Sequence, residues 1–236
     1  MAGLELVVVL CFLSFFGLIV YLMIRSERKA KASKVQISQS LGFTPIDPDP
    51  DLLLKMNHLY QNIRANLKIP ADGLFELQNV SRKRIADGEM FIFDLINTSG
   101  DDNSYTEKQA VAIISPSLNL PHFMIFPRAV MDGNIAELAN KFLDWLMAKV
   151  GNPVEFPEYP EFESRYLVSS PDPEGTRRFL DSSKLRRLAN TKHYGIHAGG
   201  DMFTLSSFQM SSGTLSQEMM SERVSQAMGV FNIFAS

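Results

Sequence analysis

Residues Leu6 to Ile24, LVVVLCFLSFFGLIVYLMI, form one uncharged run of 19 residues, and a basic cluster follows it at once. At about 1.5 Å per residue, a helix of that length reaches across a hydrocarbon core of roughly 30 Å. Its Leu, Ile, Phe and Val residues each favour insertion by about 0.3–0.6 kcal/mol near a helix centre. The run therefore predicts a transmembrane helix, with residues 4–24 in the lipid bilayer. Arg25, Arg28, Lys29, Lys31 and Lys34 follow it against one acid, Glu27, whereas only the amino terminus and Glu5 precede it. The positive-inside rule puts that basic flank in the cytoplasm. The expected protein is single-pass in the cell inner (plasma) membrane, N-terminus outside and body cytoplasmic. Arg25, Arg28, Lys29 and Lys31 are its membrane-interface residues, close to anionic lipid heads. A cleaved signal peptide would need basic residues before the apolar run and a small-residue cleavage site after it, and here the basic residues are on the wrong side.

Beyond Lys34 the chain carries 18 Lys+Arg against 24 Asp+Glu, a formal charge of −6. That balance argues against a nucleic-acid binder, which is usually basic. The one cysteine, Cys11, lies inside the apolar run. The remainder therefore has no disulfide and no cysteine cluster for zinc or iron–sulfur, which suits a reducing compartment.

Three segments emerge: an anchor at 1–24, a basic, then polar, juxtamembrane linker at 25–48, and an α+β domain at 49–236 with a candidate sub-division near 151–161. Asp49 caps a helix that has Pro50 in its first turn and carries Leu52, Leu53, Met56, Leu59, Tyr60, Ile63 and Leu67 at helical spacing. Next come LFELQNV, EMFIFDLI, QAVAIIS and HFMIFP, short β-rich runs with a hairpin signal at Asp87-Gly88, which read as a four-stranded antiparallel meander. A second helix is predicted from Asn134 to Val150. The later order is strand (RYLVSS), one or two short helices (EGTRRFLDSSKLRRLAN), strand (HYGIHAG), turn, strand (MFTLSSF) and a final helix. A Thr214–Gln217 capping box opens that last helix, with Leu215, Met219, Val224, Met228 and Phe231 on its apolar face. The expected fold class is α+β: one N-terminal transmembrane helix, then a mostly antiparallel sheet with helices packed on one face.

The chain has no glycine-rich phosphate loop, G-x-S-x-G elbow, H-E-x-x-H or EF-hand loop. His193 and His197 are four apart, but Gly195 between them favours a strand over a helix, and a third metal ligand would have to be Asp201 or a distant acid. No metal or cofactor is expected. Arg177, Arg178, Lys184, Arg186 and Arg187 crowd one helical region, where they could grip an acidic partner or an anion. Local pairing with Glu174 and Asp181 is the alternative reading of that cluster.

Phe162-Glu-Ser-Arg-Tyr-Leu-Val-Ser-Ser-Pro-Asp172, followed by Arg177-Arg-Phe-Leu180, resembles a bacterial membrane-anchored family of unknown function. In that family F-x-x-R-[YF]-x-V-x-x-x-D precedes an arginine-bearing helix. The resemblance spans residues 74–208 and departs at Gly175-Thr176, where an acidic or small aliphatic residue is usual. It implies a membrane-tethered α+β module and supplies no activity. The sequence therefore points to a non-enzymatic, single-pass, membrane-anchored cytoplasmic interaction module, an accessory subunit or scaffold of a membrane-associated complex with a protein partner. The alternative is a membrane-tethered enzyme or small-ligand-binding domain built from scattered residues, of which Arg165, Asp172, Arg177 and His197 come first.

Overall fold

Met90, Phe91, Ile92 and Phe93 are consecutive, and each is at most 2% exposed. A strand sends successive side chains to opposite faces, so such a run has to be covered on both sides. The structure, a computed structural model, describes residues 25, 29, 31–66, 75–97, 106–128, 152–192, 194–206 and 216–236. Its strands are β1 (Thr44–Pro45), β2 (Phe75–Ile85), β3 (Gly88–Asn97), β4 (Thr106–Ile114), β5 (Leu120–Pro127), β6 (Tyr166–Ser169), β7 (Gly195–Gly200) and β8 (Met202–Ser206). They form one sheet in the order β1-β2-β3-β4-β8-β7-β5-β6, with every neighbouring pair antiparallel.

Helices lie on both faces of this sheet. Residues 31–40 form α1. The others are α2 (Pro50–Asn66), α3 (Pro160–Glu163), α4 (Pro173–Phe179), α5 (Ser182–Ala189) and α6 (Gln217–Phe234). One core joins Ile92, Val111, Phe123, Ile196 and Phe203 of the sheet to Phe162 of α3, Leu185 and Leu188 of α5, and Ala227 and Val230 of α6. Phe234 anchors that layer, with ring centroids 5.7 Å from Phe123, 5.6 Å from Phe179 and 5.4 Å from Phe203. On the opposite face Leu52, Met56, Leu59 and Tyr60 of α2 cover Leu77, Phe91, Phe93, Ala112, Met124 and Met202. Each large apolar side chain buried in this way contributes about 1.5–3 kcal/mol.

The expected fold class is corrected on two counts. Helices pack on both faces instead of one, because β3, β4 and β5 are apolar at successive positions and α2 is needed to cover the second side. The expected membrane-spanning helix is also not found: among the described residues no helix is long and apolar enough to cross a membrane. The uncharged run itself lies outside the described residues. What stands is an α+β fold with an eight-stranded antiparallel sheet. The four-stranded meander is corrected too. β2, β3 and β4 are sequential neighbours, but the β7–β8 hairpin lies between β4 and β5. Strand propensity marks where a strand is and carries no information about which neighbour it will pair with across a long loop.

Local chemistry explains the hairpins. Ile85 pairs with Gly88, leaving Ala86 and Asp87 as the turn. Gly88 has φ +150° and a side chain there would run into the Ile114 carbonyl of the next strand, so only glycine fits. Of the apolar positions read on α6, Phe231 is buried and Val224 and Met228 pack against the core, whereas Met219 does not follow. Met219 is 43% exposed, while Met220, Arg223 and Ala227 are buried. The apolar pattern misleads here because a buried arginine occupies the core-facing stripe. The segments 134–150 and 207–215, and with them the predicted second helix and Thr214, lie outside the described residues.

Candidate functional site

The five residues of the basic group have different surroundings. Asp172 caps α4, accepting from the Gly175 amide at 2.9 Å, and Asp181 caps α5, accepting from the Lys184 amide at 2.9 Å. The Lys184 amide, and then its ammonium, hold the Asp181 carboxyl below its ordinary range against the opposing effect of burial. Lys184 is 8% exposed. Its ammonium lies 5.3 Å from the centroid of the Phe179 ring and donates to the Ser236 carbonyl at 3.0 Å. Arg187 donates to the Asn232 carbonyl and the Ser236 hydroxyl, both at 3.1 Å. Lys184 and Arg187 thus bind the C-terminal end of α6, where the free carbonyls attract cations. Arg177 pairs with Glu174 at 3.1 Å. Arg178 and Arg186 are exposed and have no ion-pair partner among the described residues.

Arg186 borders a shallow groove of about 240 Å³ between α3 and α5. Tyr159, Phe162, Leu185 and Ala189 form its apolar lining, with Glu158 and Glu161 on its acidic side. A guanidinium beside such a lining can offer a planar, bidentate grip to a carboxylate or phosphate. Of the interface residues expected from the sequence, Arg25, Lys29 and Lys31 are exposed, and Arg28 lies outside the described residues.

The F-x-x-R-Y stretch ties elements together. Phe162 is in the core. The Arg165 guanidinium donates to the Ala189 carbonyl and, at 3.1 Å, to the Thr191 carbonyl. The Tyr166 hydroxyl donates to the Lys192 carbonyl at 2.8 Å. Together they bind the carbonyls at and beyond the C-terminus of α5. Gly175 and Thr176, where the chain departs from the family pattern, have local reasons. A side chain at 175 would run into the Asp172 carboxylate. Thr176 is buried and donates to the Ser170 hydroxyl at 2.7 Å. Arg165 and Asp172 therefore hold helix ends, Arg177 faces solvent beside Glu174, and His197 lies on the other face of the sheet. The four do not share one pocket.

Two clusters escaped sequence reading. Asp94 is a buried hub: it accepts from Lys34 Nζ at 2.6 Å, Asn79 Nδ2 at 2.6 Å and the Gln109 amide at 2.7 Å. Asn79 and Gln109 sit at the irregularities in the β2–β3 and β3–β4 pairings, with φ of +53° and +55°. From α6, Arg223 donates to the Gln109 carbonyl at 2.7 Å. The second cluster is the seam under α2. The rings of His58 (α2) and His122 (β5) are 5.7 Å apart. Burial, and then the charge on His58, lower the His122 pKa. His197 stands edge-on to Tyr60 at 4.8 Å and to Phe126 at 6.4 Å. It is fully buried, which lowers its pKa to about 4. Among the described residues neither of its ring nitrogens has a hydrogen-bond partner, nor does the hydroxyl of Thr204, the residue directly opposite on β8. Lys55 of α2 is 2.5 Å from Asp201 in the β7–β8 turn. His193 lies outside the described residues, and among those residues no three of His, Cys, Asp or Glu are gathered so as to hold a metal. No signal in the sequence pairs His58 with His122, because they meet only through the docking of α2 on β5.

No protein-family model matches the chain, and no curated protein matches it. A solved structure with a similar fold is the crystal structure of the mycobacterial trehalose monomycolate transport factor A, TtfA. The two share 11% sequence identity with a TM-score of 0.51, over 87% of this chain and 94% of that one. At that identity the likeness is one of fold.

Proposed function

We propose that the protein is a non-catalytic accessory module of a membrane-associated complex, working on the cytoplasmic face. It contacts an acidic segment of a protein partner through Arg178, Arg186 and the α3–α5 groove. The observation that carries this reading is that Arg178 and Arg186 are exposed, Arg186 at the edge of the groove, while Lys184 and Arg187 of the same group are occupied with the end of α6. Two further points support it. The exposed Arg25, Lys29 and Lys31 suit a surface of anionic lipid heads. The fold is similar to that of a protein described as a transport factor, which is compatible with an accessory role.

The test is capture of the full chain from detergent-solubilised membranes, followed by mass spectrometry. A specific protein should co-purify with the wild type and be lost from the R178E/R186E variant. Recovery of the protein alone, or of the same partner with both proteins, would overturn the reading.

A further inference from the structure

We propose that α2 is an acid-released cover over one face of the sheet. Its seam holds two histidines, His122 and His197, in settings that disfavour a proton. The half-buried His122 ring lies 5.7 Å from the ring of His58, and burial, then that neighbour, disfavour a proton on His122. His197 is enclosed by Tyr60, Phe126 and the β-strands, and among the described residues its ring nitrogens make no hydrogen bond that would stabilise an imidazolium. A neutral imidazole still carries one N–H, and burying it without a hydrogen bond is unfavourable. Docking of α2 is therefore held by apolar contact through Leu52, Met56 and Leu59 and opposed by the polar groups beneath it.

Among the described residues no charged group offsets the effect of burial on His197. From α2, Lys55 is engaged by Asp201 of the β7–β8 turn. Asp51 and Asp49 stand at the N-terminal turn of α2, where the Asp51 amide donates to the Asp49 carboxylate. From β2, Arg82 is paired with Glu89 of β3 at 3.5 Å. On β7, Gly199 leaves room for the His122 ring to lie over that strand. Beside His197 are Met124 of β5 and Thr204 of β8, its partners across the neighbouring strands and both uncharged.

The sign follows from proton linkage. With α2 docked, His197 stays neutral down to about pH 4. With α2 lifted, it takes a proton near the ordinary value of about 6.5. Between those values the open form binds more protons, so acid favours opening. From His197 alone, going from pH 7.5 to pH 5 raises the opening equilibrium roughly 30-fold. His122, lowered in the same direction, adds to this. The face uncovered is apolar at Phe91, Phe93 and Met124, beside His197 and Thr204.

Hydrogen exchange by mass spectrometry on the full chain tests this, with rates corrected for the intrinsic effect of pH. At pH 7.5 the amides of α2 should be less protected than those of β3 and β4, and their protection should fall roughly 30-fold or more by pH 5. His197→Leu should remove most of that fall. His122→Gln, at a half-buried position, should reduce it and serves if the first variant does not fold. The proposal fails if α2 is as protected as β3 and β4, so that it opens only with the whole fold. It also fails if its protection is the same at both pH values, or if the variants keep the wild-type fall.

Discussion

Lys34 Nζ lies 2.6 Å from Asp94 Oδ2, across 60 residues of sequence, with only 13% and 6% of the two side chains exposed. The pair fastens α1, next to the basic flank, to the middle of β3. Asp94 also draws in Asn79 and the Gln109 amide from the strands on either side, so one carboxylate fixes two irregular pairings and a helix. Removing it strands a buried ammonium and two donors. Asp94→Ala should therefore lower the unfolding free energy by about 3–5 kcal/mol, measured by denaturant titration. A loss below about 1 kcal/mol would mean that the pair is solvated.

Gly88→Ala should destabilise the β2–β3 hairpin. The φ of +150° and the nearby Ile114 carbonyl leave no room for a methyl group. Backbone strain of this kind costs about 1–3 kcal/mol, readable as a lower Tm. An unchanged Tm would show that the turn rearranges freely.

Met219 and Met220 are neighbours with opposite environments, 43% and 0% exposed. Met220→Ala should cost about 2–5 kcal/mol, whereas Met219→Ala should stay within about 0.5 kcal/mol. The reverse order would support the helix phase read from sequence.

Arg165→Ala should weaken the attachment of α5, because two carbonyls at its end lose a charged donor. A loss of about 1.5–3 kcal/mol is expected, with Arg165→Lys restoring only part of it, since a point charge cannot reproduce the fork. By contrast, R178E/R186E should leave stability nearly unchanged while abolishing partner capture, because both residues are exposed. A large fall in Tm for that variant would show that these arginines serve the fold.

His197 sets a pH window for the whole protein. Its folded pKa of about 4 is below the ordinary value of about 6.5. Above pH 6.5 both states are neutral and its contribution is constant. Between 6.5 and 4 the unfolded chain takes up a proton that the folded one refuses, so stability falls as pH drops. At pH 4 the loss is about 3 kcal/mol. The denaturant midpoint of the wild type should fall relative to that of His197→Leu over that range, and parallel curves would exclude the histidine as the cause.

Much of the fold was legible because periodicity is a local property. The α2 helix begins at Pro50 beside Asp49, the β2–β3 hairpin turns at Ala86-Asp87, one residue before the Asp87-Gly88 signal read in the sequence, and two short helices follow Asp172 and Asp181, all from signals within a few residues. The apolar continuity of β3 also implied covering on both faces, although the sequence reading placed helices on one. Tertiary structure alone decided three things. The insertion of the β7–β8 hairpin between β4 and β5 depends on pairing across long connections, which residue propensities do not encode. The division of the basic group depends on where the end of α6 comes to rest: Lys184 and Arg187 meet its carbonyls and Arg186 does not. The joining of His58 to His122, and of Lys34 to Asp94, follows from packing of distant elements. A side chain's chemistry is written in the sequence, but its dielectric surroundings and its partners exist only once the chain has folded around it.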